Sequence, residues 1–336
     1  MPSMTCHQLQ SSVITGHCFP IEDRRNMHGC VKTGTKRDSD LLLTQLRRFY
    51  ETTYPGNMEK LVAYFAVFGE SGIGIDTTVP LEKLIETKVL DHYGEHYNRI
   101  HNGFLEDGKV IALLQAAAKG DRRIHSACKR AQVGEAKGGE MIAHLRDMGI
   151  LDVEASREAP PQKLHPKQKL KREVARHRIS HKLRFRSPFL RFWFRFISPM
   201  HRRIEQGDYE SVLSRFREQD TAFTGLVFEE VSQLYFRLRM GDDPYLRCGS
   251  YWDRLIELDL LARSPDGGFI VGECKWTNTK MNRGELVKLQ EKCALVGLEP
   301  EQVWLFAKRG FSNELLSMRS DTLVLVEVEE MKTILF

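Results

Sequence analysis

The stretch Val271–Trp276 (VGECKW) constrains this chain more than any other. It reads as a strand, so its side chains alternate between two faces. Glu273 and Lys275 share one face, and Cys274 and Trp276 take the other. Charges in an otherwise apolar strand are costly without partners. The upstream segment Leu255–Ala262 (LIELDLLA) offers them, because Glu257 and Asp259 also share a face. Between the two lies Ser264-Pro265-Asp266-Gly267-Gly268, a turn by composition. A two-residue turn at Asp266-Gly267 would put Glu273 level with Leu260 and send the two polar faces to opposite sides. A three- or five-residue loop puts Asp259 opposite Glu273 and Glu257 opposite Lys275, with paired Cβ atoms about 5 Å apart. A one-residue slip would scatter the charges, so the longer loop is expected.

Carboxylates gathered in this way form a hard oxygen site suited to Mg²⁺ or Mn²⁺. A lysine beside them can orient a water or offset charge on a phosphoryl group. The plainer alternative is a salt-bridged pair of strands on a solvated face. Four separated segments then occur in a telling order: FLRFWFRFISP (Phe189–Pro199), FTGLVFEEV (Phe223–Val231), YWDRLIELDLLA (Tyr251–Ala262) and VGECKW. Together they resemble the domain of unknown function found at the C-terminus of archaeal-type DEXX-box ATPases, within the PD-(D/E)xK nuclease superfamily. The resemblance covers roughly the last 150 residues. It implies Asp259, Glu273 and Lys275 as a catalytic triplet, with Mg²⁺ or Mn²⁺ held by Asp259, Glu273 and the helix carboxylate Glu229. Of the adjacent Glu229 and Glu230 only one can face the sheet, and the family's Phe-Glu pattern selects Glu229. Glu257 is expected to support the site from just outside it. The chain departs from the superfamily pattern in having Leu258, not proline, before Asp259. Its Gly29–Lys36 run (GCVKTGTK) misses the Gly-Lys-Ser/Thr of a P-loop and has no strand before it. An ATPase would therefore act in trans as a partner.

The length of 336 residues suits two or three domains. No run of 18 apolar residues suggests a membrane span. Seven cysteines without scaffold spacing fit a reducing cytoplasm. Residues 1–40 are expected to be a disordered leader, since their Cys/His pairs lack the paired knuckle of a zinc site. Residues 41–106 read as a helical region. Residues 107–158 read as a winged helix-turn-helix, with short helices over 109–118, 122–131 and 140–147, a break at Gly138-Gly139, and a wing strand over 150–155. Its third helix carries too little positive charge for groove insertion.

Residues 159–187 form a basic linker. From Lys163 to Arg203 there are fourteen Lys or Arg against one acid, Glu173. Lys163, Lys167, Lys169, Lys171, Arg172, Arg176, Arg178 and Lys182 are the expected contacts to nucleic-acid phosphates. Residues 188–220 are a helical connector whose aromatics are core. Residues 221–336 are the nuclease-like domain, in the order αβββαβ plus an added short helix and strand. The expected fold class is α+β or α/β. The expected function is metal-dependent hydrolysis of DNA. The alternative is an inactive winged-helix regulator or adaptor that binds nucleic acid.

Overall fold

The computed structural model describes residues 36–101, 107–158, 165, 169, 172, 174, 177–241, 247–264 and 266–336. The Cys/His pairs of the expected leader lie outside the described residues, as does all but the last residue of its GCVKTGTK run. Helix α1 (Lys36–Thr53) begins inside that expected leader. The fold is mixed α+β, with an N-terminal helical region and a five-stranded mixed sheet in the C-terminal region. No helix among the described residues is long and apolar enough to cross a membrane.

Helix α2 (Met58–Phe68) is capped by Asn57, whose side chain accepts the Lys60 N–H at 2.8 Å. It buries Leu61, Val62, Phe65 and Phe68 almost completely. Helices α3 (Leu81–Leu84, continued by a π-helical turn over Ile85–Leu90) and α4 (Tyr93–His101) complete the first region. Three helices follow, α5 (Gly108–Lys119), α6 (Ile124–Arg130) and α7 (Glu135–Asp147), then strand β1 (Leu151–Glu154). That is the expected order, with one correction. Gly138-Gly139 does not break the chain, and α7 runs through it. A Cβ at 138 would meet Cys128 Sγ at 2.6 Å, so glycine lets α6 and α7 approach closely. A second correction concerns the linker. Strand β2 (Lys182–Phe185), within the expected linker, pairs antiparallel with β1 in a two-stranded sheet, where the expected wing has its strand.

Helix α8 (Pro188–Phe192) passes into a π-helical turn over Trp193–Ile197. Phe189, Phe192, Trp193, Phe194 and Phe196 are all core, as their density in the sequence implied. After α9 (His201–Glu205), one helix, α10 (Tyr209–Arg239, 31 residues), runs across the boundary expected at residue 220 between the connector and the C-terminal domain, joining the stretches 201–217 and 223–239 that lie on its two sides. No glycine or proline interrupts it between them.

The sheet runs β3 (Gly249–Trp252), β4 (Glu257–Arg263), β5 (Phe269–Lys275), β6 (Pro300–Ala307) and β7 (Leu323–Glu327), in that spatial order. β3, β4 and β5 are antiparallel, and β5, β6 and β7 are parallel. Leu260, Ala262, Ile270, Cys274 and Phe306 pack toward α10 and the helical region. Leu261, Val271 and Leu305 pack toward α11 (Arg283–Leu295) and α12 (Asn313–Ser317). A sheet buried on both faces explains why β5 reads as a nearly unbroken apolar run. At Gly272 a Cβ would meet Trp304 O at 2.9 Å and Leu260 Cβ at 3.2 Å, so only glycine keeps the close spacing of β4, β5 and β6.

Arg157 secures the outer edge. The β3–β4 ladder is irregular here: the two steps from Gly249 to Tyr251 face three on β4, so the extra residue lies on β4 between Leu258 and Leu261. The Arg157 guanidinium donates to the carbonyls of Gly249 and Ser250, both at 2.8 Å, and to Leu261 O at 3.1 Å. Burial pulls its pKa down, which the neighbouring acids only partly reverse. Arg157→Met leaves these carbonyls without their donor and should cost at least about 2 kcal/mol of stability. Urea denaturation of both proteins checks this, and an unchanged midpoint would refute the clamp.

Candidate active site

The site begins where a ladder ends. The β4–β5 pairing runs from Arg263–Phe269 to Leu260–Gly272. This is the register that the longer loop implies, and it brings Asp259 level with Glu273. One step further the Cys274 N–H donates to the Asp259 carboxylate at 2.8 Å. A side chain thus accepts an N–H at the point where the strands part. Gln233, from α10, donates to the Asp259 carbonyl at 2.7 Å and fixes the backbone there.

Glu273 is 6 % exposed, and both its oxygens are answered. Lys275 Nζ donates to Oε1 at 2.7 Å, and Lys292 Nζ donates to Oε2 at 2.9 Å. Lys275 also lies 3.3 Å from Glu285 Oε2. Lys292 and Glu285 both come from α11 and were not foreseen. They stand seven residues apart, two turns along one helix face, and that spacing was the available signal. Burial lowers the Lys275 pKa, but the hydrogen bond and charge of Glu273, with those of Glu285, outweigh it and hold it above the ordinary lysine range.

Glu229 reaches the cluster from α10, and burial, opposed in part by Arg122, pushes its carboxyl up to about 7 with help from Glu230 and Glu257. Asp259 is raised well above the ordinary carboxylate range, first by burial and then by the charges of Glu229 and Glu273. Glu230 lies elsewhere, in a shallow depression with Arg184 and Pro188. Glu257, at the start of β4, does not turn to Lys275. It is paired with Lys182, whose ammonium also lies 4.3 Å above the Trp252 ring.

Lys182 is accordingly buried at 1 % exposure, a correction to its expected place on an open basic tract. Lys169, Arg172 and Arg178 are exposed, and Arg178 is paired with Glu135. Lys163, Lys167, Lys171 and Arg176 lie outside the described residues.

Glu229 and Glu257 also line one end of a cleft of about 200 Å³ between α5, the α8 turn and α10. Arg122, Lys182, Arg191 and Arg195 line it too. None of the last two arginines was singled out as a contact by sequence, because their aromatic neighbours made the helix read as core.

As a metal site the cluster fits in part. Among the described residues, no three His, Cys, Asp or Glu side chains converge to hold an ion. Asp259 and Glu229 are hard oxygen donors whose charge Lys292 and Arg122 offset only in part, which suits Mg²⁺ with water in its remaining positions. Glu273 would first have to exchange a lysine for the ion.

Residues 193–287 match the family DUF234, described as archaeal and bacterial proteins of unknown function. No curated protein matches the chain. The crystal structure of protein VC1899 from Vibrio cholerae aligns with 90 % of this chain at 13 % identity and a TM-score of 0.29. The alignment spans 56 % of that protein's length, and at this similarity it does not define a shared fold.

Because the Glu229 pKa is raised in the folded state, its contribution to stability is present below the ordinary carboxylate pKa and is lost as pH rises through about 7. Glu229→Gln removes that loss. In EDTA, the stability of the variant relative to the parent should rise by about 2 kcal/mol between pH 5 and 8. Parallel denaturant curves across that range would expose a flat difference and so a solvated Glu229.

Proposed function

We propose that the chain is a metal-dependent phosphodiesterase acting on nucleic acid, with DNA as substrate. The observation that carries this is the grouping of Asp259, Glu273, Glu229 and Lys275 at the point where β4 and β5 part. Asp259 and Glu229, joined by Glu273, would hold a Mg²⁺ or Mn²⁺ ion. Such an ion activates water and stabilises negative charge on a phosphoryl oxygen. Lys275, oriented by Glu273 and Glu285, directs its ammonium at the attacking water and offsets the charge that builds in the transition state. Lys292 holds Glu273 Oε2 at 2.9 Å when no metal competes for it. The segmental resemblance to PD-(D/E)xK nucleases and the basic lining beside Glu229 support the same function.

One observation favours a second possibility, a platform that binds nucleic acid without cutting it. Both Glu273 oxygens already hold ammonium groups, so this carboxylate is not free to take an ion in the resting site.

Cleavage of plasmid and oligonucleotide DNA with Mg²⁺ or Mn²⁺ separates the two. Asp259→Ala and Lys275→Met should each lower the rate at least about 100-fold, the usual loss when one stabilising group is removed. Cleavage equal in parent and variants would place any nuclease elsewhere. Binding without cleavage in the parent would establish the platform.

A further inference from the structure

The cleft beside Glu229 holds cations that the proposed hydrolysis does not use. Arg191 is 6 % exposed, yet pairs with no carboxylate among the described residues. One terminal nitrogen donates to Phe223 O at 2.9 Å, the guanidinium lies 4.3 Å above the Phe223 ring, and its Nε has no partner. Arg195, one helical turn on, donates to the carbonyls of Ala118 and Lys119 and to Gln219 Oε1, each at 3.1 Å. Its Nε is also buried without a partner. Arg122 enters from the α5–α6 turn at φ +63°, in the left-handed region, and its ion pair among the described residues is a distant one, 3.8 Å to Glu154. Arg191 is thus a buried cation without a contacting carboxylate, which is unfavourable unless something answers it, and Arg122 and Arg195 lie half-buried beside it.

The acids around the cleft answer them only in part, through the charge of Glu229 acting on Arg122 and Arg191 without a direct ion pair. Lys182 takes Glu257, Asp121 accepts from Arg123 N–H and the Ser126 hydroxyl, and Glu229 belongs to the carboxylate cluster. The cavity is also kept open, because Ala117, Ala118 and Ala222 line it where larger side chains would fill it. Its volume of about 200 Å³ falls below the roughly 300–1,000 Å³ of sites that enclose a drug-sized molecule. Phe223, its one aromatic side chain, is buried beneath Arg191 and offers no stacking face for a base.

We propose that this cleft is a phosphate subsite, in which Arg122, Arg191 and Arg195 hold one phosphate group of a nucleic-acid strand irrespective of base sequence. The identity of the strand rests on the proposed phosphodiesterase function. The anion site itself does not. A phosphate seated there lies beside Glu229, so the neighbouring part of the strand is delivered toward Asp259 and Lys275.

The test is fluorescence-anisotropy titration of the full chain with labelled oligonucleotides in EDTA, where hydrolysis cannot contribute. Arg195→Gln should weaken binding about tenfold and reduce the salt slope by about one unit, for every base sequence alike. Ala222→Leu alters no charge, sits on the exposed flank of α10, and should also weaken binding by obstructing the cleft. Inorganic phosphate should raise the melting temperature of the parent more than that of Arg195→Gln. Weakening by Arg195→Gln but not by Ala222→Leu would reduce the effect to general charge and overturn the subsite. Equal binding by all three proteins would overturn it as well. Protection by inorganic phosphate without oligonucleotide binding would overturn its assignment to a strand. Binding through the cleft by a protein that cuts nothing would leave the subsite standing and remove only the hydrolysis.

Discussion

The hydrogen bond from the Cys274 N–H to the Asp259 carboxylate organises the C-terminal half of the molecule. Beyond Leu260 and Gly272 the antiparallel ladder gives way to it, so the charged ends of β4 and β5 meet in a gap between strands rather than on a closed sheet. Helices on opposite sides of the sheet can then contribute to one place. Glu229 comes from α10 on one side, and Lys292 and Glu285 come from α11 on the other. A strand pair hydrogen-bonded to its tips would leave these groups separated by the sheet itself.

The cluster is also an electrostatic compromise. Glu273 is neutralised by two ammonium groups, whereas burial and the charge of Glu229 raise the affinity of Asp259 for protons, and burial with Glu230 and Glu257 does the same for Glu229. Removing like-charged carboxylates from water is unfavourable, and the surrounding packing must maintain it. That packing comes from both hydrophobic cores, one on each face of β5.

Much of this was legible in the sequence, and the rest was hidden for definite reasons. The strand period of two fixed the faces of Glu273, Lys275 and Asp259, and the need to keep them together selected the correct loop length. The aromatic density of Phe189–Phe196 likewise declared itself as core. Lys292 and Glu285 were missed because a helix of mixed composition gives little sign of which face turns inward. β2 was missed because its Lys-Leu-Arg-Phe alternation lay inside a strongly basic tract, where charge drew more notice than periodicity. Lys182 was misplaced for the same reason, since its partners Glu257 and Trp252 lie far along the chain. Gly138-Gly139 suggested a break, but the close approach of Cys128 is visible only in three dimensions.

Arg157 and its neighbour have a consequence for how the chain can vary. Arg157 is fastened to the sheet edge, and Glu158 meets His177 at 2.8 Å, just before β2. The chain therefore leaves and returns at two anchored points on either side of the basic tract. Closing a chain segment between two fixed points costs only about 0.6 kcal/mol more for each doubling of its length. The number and spacing of the tract's lysines and arginines are thus free to drift while the sheet, the cleft and the carboxylates stay where they are.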